Sequence, residues 1–422
     1  MSKIGRPLFG SMCNVKKILF VSYGGGHVNL LLPVFSRFAN KAGFNCEYLA
    51  LTTAGNVLRG KGVPYLGFKD LLLPGDARAI AYGHELVDKE YGSLAVPYDE
   101  SVAYMGLSFW DLAQRHGEKE AYRIYQEEGG RQAFYPITPL RRYLNKVRPD
   151  LVIATNSPRA ERACIDAATQ LGIPSVCIVD LFALQEVRWI GQPDFANKVC
   201  VLSEFVRDIM INAGRCQNDV VVTGNPAFDT MAQVRNSGIR RVFRKNKNWD
   251  DCEVVILWAS NIEPKVHPFS DVGGDPDLPR KVEVQLSQLV KENNNFKVVF
   301  RPHPNDPYVP ENLPENVEIS TTQDDIDNLL VAVDCVVVLS STVGLQAALM
   351  GKPLVNIKLS MFSRDAPYDE MGISVGVDDL GLLNLAILQA LAEGQSGKGL
   401  PEIGTATDKV VNVIEGLLKE ST

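Results

Sequence analysis

Short β-branched runs alternate with longer amphipathic stretches along nearly all of this 422-residue chain, and the alternation pauses once and restarts. Strands that read as continuous apolar runs are buried on both faces, which a parallel sheet covered by helices on each side allows. In the first half the runs are "VKKILFVS" from Val15, "NCEYLAL" from Asn45, "DLVIAT" from Asp150, "PSVCIVD" from Pro174, "KVCVLS" from Lys198 and "DVVVTG" from Asp219. After the pause come "CEVVILWAS" from Cys252, "FKVVFRPHP" from Phe296, "VEIST" from Val317, "CVVVLSS" from Cys335 and "PLVNIKL" from Pro353. A single core stops growing near ~250–300 residues, so the restart marks a second domain. The join falls in the polar and basic stretch Asn236 to Asp251, "NSGIRRVFRKNKNWDD", which has little to bury. The expected layout is a first doubly wound domain over 1–235, a second over 236–404 and a terminal helix over 405–422 that packs against the rest.

Between about residues 76 and 145 the rhythm breaks. There is no strand candidate there, only helix-like stretches rich in aromatics and charges, such as "YDESVAYMGLSFWDLAQRH". An insertion of this size is either a lid or binding wall, or a decoration that only packs.

Composition narrows the partners. With 45% hydrophobic residues, 22% charged and no apolar run long enough for a membrane span, the chain reads as globular. A formal charge of −7 argues against a nucleic-acid partner. Eight cysteines (Cys13, Cys46, Cys164, Cys177, Cys200, Cys216, Cys252, Cys335) include no C-x-x-C pair and read as buried thiols in a reducing compartment, so a cytoplasmic location is expected. The opening "MSKIGRPLFGSMCN" lacks the apolar centre of a secretory signal and reads as a loose tail. No metal-ligand spacing is present.

Three stretches carry chemistry. In "FVSYGGGHVNLLLPVF", Gly24, Gly25 and Gly26 break a strand and precede a helix expected to begin near Val28 or Asn29, so a ligand can approach main-chain N–H groups there. Asn29 stands where the dinucleotide fingerprint needs its third glycine, which disfavours a nicotinamide enzyme. His27 follows at the carboxyl end of the first strand, in the crevice where open sheets bind ligands; it is either a general base or a residue that bonds nearby backbone.

"FKVVFRPHPND" ends a strand on Arg301 and His303, held by two prolines, and a guanidinium beside an imidazole suits phosphate, although a rigid turn would look the same. "CVVVLSSTVGLQAALMGKP" runs a strand into Ser340, Ser341 and Thr342 at a helix start, which is either an anion site or an ordinary capped helix. A further loop, "SRDAPYDEMG", offers Asp365, Asp369 and Glu370, and the insertion offers the acidic pair Asp99 and Glu100. His84, His116 and His267 have no partner pattern.

"GGGHVNLLLPVFSRFANKAG" resembles the amino-terminal glycine-rich loop of GT-B glycosyltransferases, and "RPHP" with "SSTVGLQAALMGKP" is similar to the donor half of bacterial envelope and capsule enzymes of that superfamily, which includes the non-hydrolysing UDP-N-acetylglucosamine 2-epimerases. The resemblance implies an α/β chain with two Rossmann-like domains whose parallel sheets face a central cleft. It implies an inverting, metal-independent glycosyltransferase of envelope or capsule polysaccharide biosynthesis, with no cofactor and with a nucleotide sugar (UDP, CMP, CDP, GDP or dTDP) as donor. By motif, His27 is the base on an acceptor loop of Gly24, Gly25 and Gly26. Arg301, His303, Ser340, Ser341 and Thr342 hold the donor phosphates, and Gln346, Asp369 and Glu370 face the ribose and sugar. Gln346 stands where many relatives carry a carboxylate. The acceptor would be a saccharide or a lipid-linked group, leaving room for peripheral contact with the inner membrane face and for a homodimer. Two rivals remain. One is a 2-epimerase, disfavoured because "ATNSP" and "VDLFA" stand where those enzymes carry an acidic and histidine cluster. The other is a non-catalytic two-domain protein that closes on an anion.

Overall fold

A computed structural model describes residues 15–90, 96–267, 272–306, 308, 310, 312–394, 397 and 399–420. The opening tail, with Cys13, lies outside the described residues.

Two six-stranded parallel sheets form the frame. The first comprises β1 (Lys16–Tyr23), β2 (Phe44–Leu51), β3 (Leu151–Thr155), β4 (Ser175–Ile178), β5 (Lys198–Val201) and β6 (Val220–Val222), in the order β2-β1-β3-β4-β5-β6. The second comprises β7 (Val254–Ala259), β8 (Phe296–Arg301), β9 (Val317–Ile319), β10 (Cys335–Val338), β11 (Leu354–Ile357) and β12 (Val375–Val377), in the order β12-β11-β10-β7-β8-β9. Each sheet reverses winding direction once, between β1 and β3 and between β7 and β10. At such a switch point two successive crossovers leave on opposite faces and open a crevice at the carboxyl ends of the strands. The eleven apolar runs are all strands. β12 was not visible as a run because it is three residues long with Gly376 in its middle.

Burial explains the pattern. Ile18, Leu19, Phe20 and Val21 of β1 are fully buried on both faces, as are Val336, Val337 and Val338 of β10. One hydrophobic cluster runs from a face of the first sheet, through the insertion, and on to Leu345 and Tyr368 of the second lobe.

The insertion consists of helices Ala77–Glu90, Tyr98–His116, Glu118–Glu127 and Ile137–Val147. It is part of the core: the first two helices cross in backbone contact at Gly83 and Gly106, where an added Cβ would lie 2.1 Å from the carbonyl oxygens of Val102 and Ala79 respectively. Its acidic pair is structural. Glu100 is buried and accepts from the backbone N–H groups of Phe68 (2.7 Å) and Lys69 (3.1 Å), and Asp99 pairs with Lys69 at 2.9 Å.

The stretch read as a polar join is more ordered than its composition implies. It contains helix Ile239–Asn246, whose Arg240 and Arg244 donate to the carbonyl of Ala332 at 2.8 and 3.1 Å at the end of helix Ile326–Ala332. Arg244 is 1% exposed, so the one residue this helix buries is basic. The thiols also differ from expectation: Cys216 and Cys252 are exposed, whereas Cys164, Cys177, Cys200 and Cys335 are buried, and the described cysteines are free.

The last helix, Ala406–Glu420, returns to the first lobe. Val410, Ile414, Leu417 and Leu418 join the cluster of Ile18, Phe20 and Phe38, while Arg37 pairs with Asp408 at 2.7 Å. Asp229, in the segment that leaves the first lobe, accepts from the backbone N–H groups of Gly404, Ala406 and Thr407 at 3.1, 3.1 and 2.7 Å. The two lobe crossings are thereby fastened together.

Candidate functional site

At the first switch point the chain turns from β1 into helix Gly24–Ala39 without an intervening loop. The helix begins at Gly24 rather than near Val28, because Gly24 takes φ +72°, a left-handed conformation that completes the turn in one residue. The three glycines are thus the first helical turn, whose N–H groups have no intrahelical acceptor. His27 lies just behind them with its side chain 22% exposed.

The ring is held from both sides. Its Nδ1 bonds the Thr155 Oγ1 at the end of β3 and lies 3.7 Å from Glu161 Oε2; its Nε2 lies 4.0 Å from Asp180 Oδ2 after β4. Glu161, on helix Ala160–Gln170, is fully buried and accepts from the backbone N–H groups of Tyr23 (2.5 Å) and Ser157 (2.9 Å). Burial pushes its carboxyl above the usual range, opposed chiefly by the His27 charge and by a hydrogen bond from Thr155. Asp180 is fixed by Asn156 Oδ1, which accepts its N–H at 3.0 Å, and by Asn225 Nδ2, which donates to its carbonyl at 2.6 Å. Glu186 stands nearby, its carboxyl also raised by burial and further by Asp180.

An imidazole ringed by carboxylates does occupy this crevice. The expectation that "ATNSP" and "VDLFA" exclude an acidic and histidine cluster is therefore corrected: Asp180 lies within "VDLFA", and Glu161 arrives from the following helix.

At the second switch point, Ser341 caps helix Thr342–Leu349, its Oγ accepting the Val343 N–H at 3.3 Å. Ser340 and Ser341 are half-buried and Thr342 is exposed, so the hydroxyls are open to solvent. Gln346, half-buried, lies one turn along. His303 after β8 is half-buried, and its Nδ1 accepts the Asn305 N–H at 3.2 Å, which leaves the proton on Nε2. Arg301 turns away from the hydroxyls: its Nη1 donates to Ser320 Oγ (2.9 Å) and to the carbonyls of Thr321 (3.1 Å) and Asp324 (2.9 Å). Asp369 pairs with Lys358 at 2.8 Å, and Glu370 beside it is exposed. The "GKP" lysine is structural. Lys352 donates to the carbonyls of Val331 and Val333, both at 2.8 Å, and burial pushes its ammonium down to about 8. His267 stands 3.7 Å from Asp365, His84 bonds the Tyr98 hydroxyl at 3.0 Å, and His116 lies beside Arg115.

The two crevices meet. Phe182, two residues after Asp180, packs edge-on to Tyr368 with centroids 5.8 Å apart, and the Tyr368 hydroxyl donates to the Ser341 carbonyl at 2.7 Å. A continuous contact path therefore joins the His27 crevice to the hydroxyl-lined helix start.

Sequence reading missed Glu161. The available signal was its setting: in "AERACIDAA" nearly every neighbour is apolar, so a glutamate there has no solvated face to occupy.

No protein-family model and no curated protein sequence matches the chain. Solved structures do. UDP-GlcNAc 2-epimerase from Neisseria meningitidis bound to UDP-GlcNAc is similar over 95% of this chain and 100% of that one, with TM-score 0.58 and 14% identity. UDP-GlcNAc 2-epimerase from Methanocaldococcus jannaschii gives 0.59 at 11% identity over 95% and 99%. A glycotransferase of kitacinnamycin gives 0.52 at 13% identity over 96% and 99%. The fold is GT-B: two Rossmann-like lobes spanning the same length as these enzymes.

Proposed function

We propose that this chain is a nucleotide-sugar enzyme that transfers a sugar from an activated donor to an acceptor hydroxyl. The observation that carries the reading is His27 at the first switch point, its Nδ1 bonded to Thr155 and 3.7 Å from the buried Glu161, its Nε2 4.0 Å from Asp180. In this reading Nε2 takes the acceptor proton as the oxygen attacks the anomeric carbon, and Glu161 stabilises the imidazolium that forms. The diphosphate leaves toward the helix start at Ser341, where hydroxyls and the helix dipole offset the growing negative charge, with His303 donating from Nε2. Arg301, bound to the Ser320–Asp324 loop, acts by shaping that wall and by its positive field. The domain limits 1–235 and 236–404 fit this division of labour, with helix 405–422 assigned to the first lobe.

A second reading, 2-epimerisation of a nucleotide sugar, is favoured by the carboxylates Asp180, Glu161 and Glu186 around His27, since removing and returning a proton at a sugar carbon requires closely placed acids and bases. The epimerases of like fold support it equally.

The deciding experiment has two stages. Thermal shifts with CMP, CDP, UDP, GDP and dTDP identify the base, because ligand at 100 times its dissociation constant adds roughly 2.7 kcal/mol of stability. The matching sugar nucleotide, UDP-GlcNAc first, is then incubated without acceptor. Its C2 epimer in the product mixture establishes epimerisation. Nucleotide release only when saccharide or lipid-linked acceptors are added establishes transfer. Binding with neither outcome leaves a two-lobed binding protein and removes both enzymatic readings.

A further inference from the structure

Where the helical insertion meets the first sheet, a cation stands without a counter-ion. Arg159 follows β3 at the switch point that also holds His27, and its guanidinium lies 5.0 Å from the centroid of the Tyr23 ring. Among the described residues its guanidinium makes no hydrogen bond or ion pair, and its Nε is buried without a partner. The guanidinium groups of Arg142 and Arg115 in the same lobe are ion-paired, with Asp76 at 2.6 Å and Asp111 at 2.9 Å.

Tyr104, from the insertion helix Tyr98–His116, closes the same region. It is 3% exposed, its hydroxyl is buried without a partner, and it lies within electrostatic reach of Arg159, Tyr23 and Arg131. Arg131, from the turn Gly130–Ala133 of the insertion, is exposed and likewise makes no ion pair among the described residues. The Arg159 guanidinium, without an ion-pair partner, and the buried, unsatisfied Tyr104 hydroxyl thus stand where the insertion meets the glycine turn. An aromatic face can hold a guanidinium plane while its N–H edge stays free for a planar or tetrahedral anion.

We propose that Arg159, with Arg131 and Tyr104, forms a subsite for a carboxylate or phosphate carried by the acceptor, placing the acceptor beside the helix start that bears His27. This rests on the transfer reading for assigning the anion to the acceptor. It also gives the insertion a role as a binding wall.

The test is titration calorimetry on the full chain at saturating UDP, with D-glucuronate, glucose 6-phosphate and neutral glucose as probes. One of the two anionic probes binds wild type at least tenfold tighter than glucose, and which one does so separates carboxylate from phosphate. Arg159→Gln abolishes the preference, Arg159→Lys keeps part of it, and Tyr104→Phe, which keeps the ring, weakens it several-fold. Equal binding of charged and neutral probes, or a preference that survives Arg159→Gln in a folded variant, overturns the subsite. Should Arg159→Gln fail to fold, unchanged preference in both Arg159→Lys and Tyr104→Phe overturns it. If UDP does not bind, the nucleotide-sugar reading falls and the same titrations without nucleotide still decide the subsite. If UDP binds and the anion preference is absent, only the subsite falls.

Discussion

At the first switch point the groups after the strands are an imidazole and carboxylates, with Glu161 fully buried. At the second they are hydroxyls open to solvent and an imidazole whose Nδ1 is tied to backbone. The same topology thus yields a crevice suited to moving a proton and a crevice suited to receiving negative charge. The difference comes from which helix faces the strand ends. Helix Ala160–Gln170 brings an acid against the end of β1, whereas helix Thr342–Leu349 has no charged residue and opens on hydroxyls. What separates the two is a handful of side chains at strand termini, with the frame held constant.

That contrast can be broken one side at a time. His27→Ala is expected to lower turnover by about 10²–10⁴-fold, the range for a positioned general base, while nucleotide affinity measured by calorimetry stays unchanged. A matching loss of affinity would place the histidine on the wrong side of the comparison.

Glu161→Gln keeps the shape and removes the charge. Turnover should fall by roughly 10²-fold, less than when a triad carboxylate bonded directly to histidine is replaced, because Glu161 acts through Thr155. The sign for stability is opposite. Its carboxyl is raised in the folded chain, so the folded state binds the proton more tightly than the unfolded one, and its contribution to stability falls as pH rises from the ordinary carboxylate range through the raised value. Urea melts across that window should show a slope in wild type that Glu161→Gln flattens.

On the second side, His303→Ala should weaken nucleotide binding by about 10-fold or somewhat more, as expected for one lost hydrogen bond to a charged group of ~1.5 kcal/mol or above, with little change in turnover at saturation. Ser341→Ala removes the side-chain cap on Val343 and should cost about 1 kcal/mol in melts, with a modest loss of nucleotide affinity. If Ser341→Ala instead abolished turnover without touching binding, the division between the crevices would be lost.

The frame was legible in sequence because strands such as β3, β4 and β10 are buried along their whole length and leave no other home for their apolar side chains. The second site was legible in part: Ser341 announces itself as a helix cap, and the prolines around His303 mark a turn. For Arg301 the sequence carried no sign that its Nη1 is held by three oxygens of a neighbouring loop. Nor did it show that Asp369 pairs with Lys358. Glu161 was hidden because two of the partners that make it matter, Tyr23 and His27, come from the distant turn at the end of β1. Long-range pairings of that kind leave no local spacing to read.

The returning helix Ala406–Glu420 makes the second lobe an excursion out of the first rather than an appendage to it. Such a lobe is moored at two points and can swing only about the line between them, so opening and shutting follow one arc. A protease that nicked the chain between the second sheet and this helix would leave both fragments associated, since Val410 and Ile414 would remain seated beside Phe38.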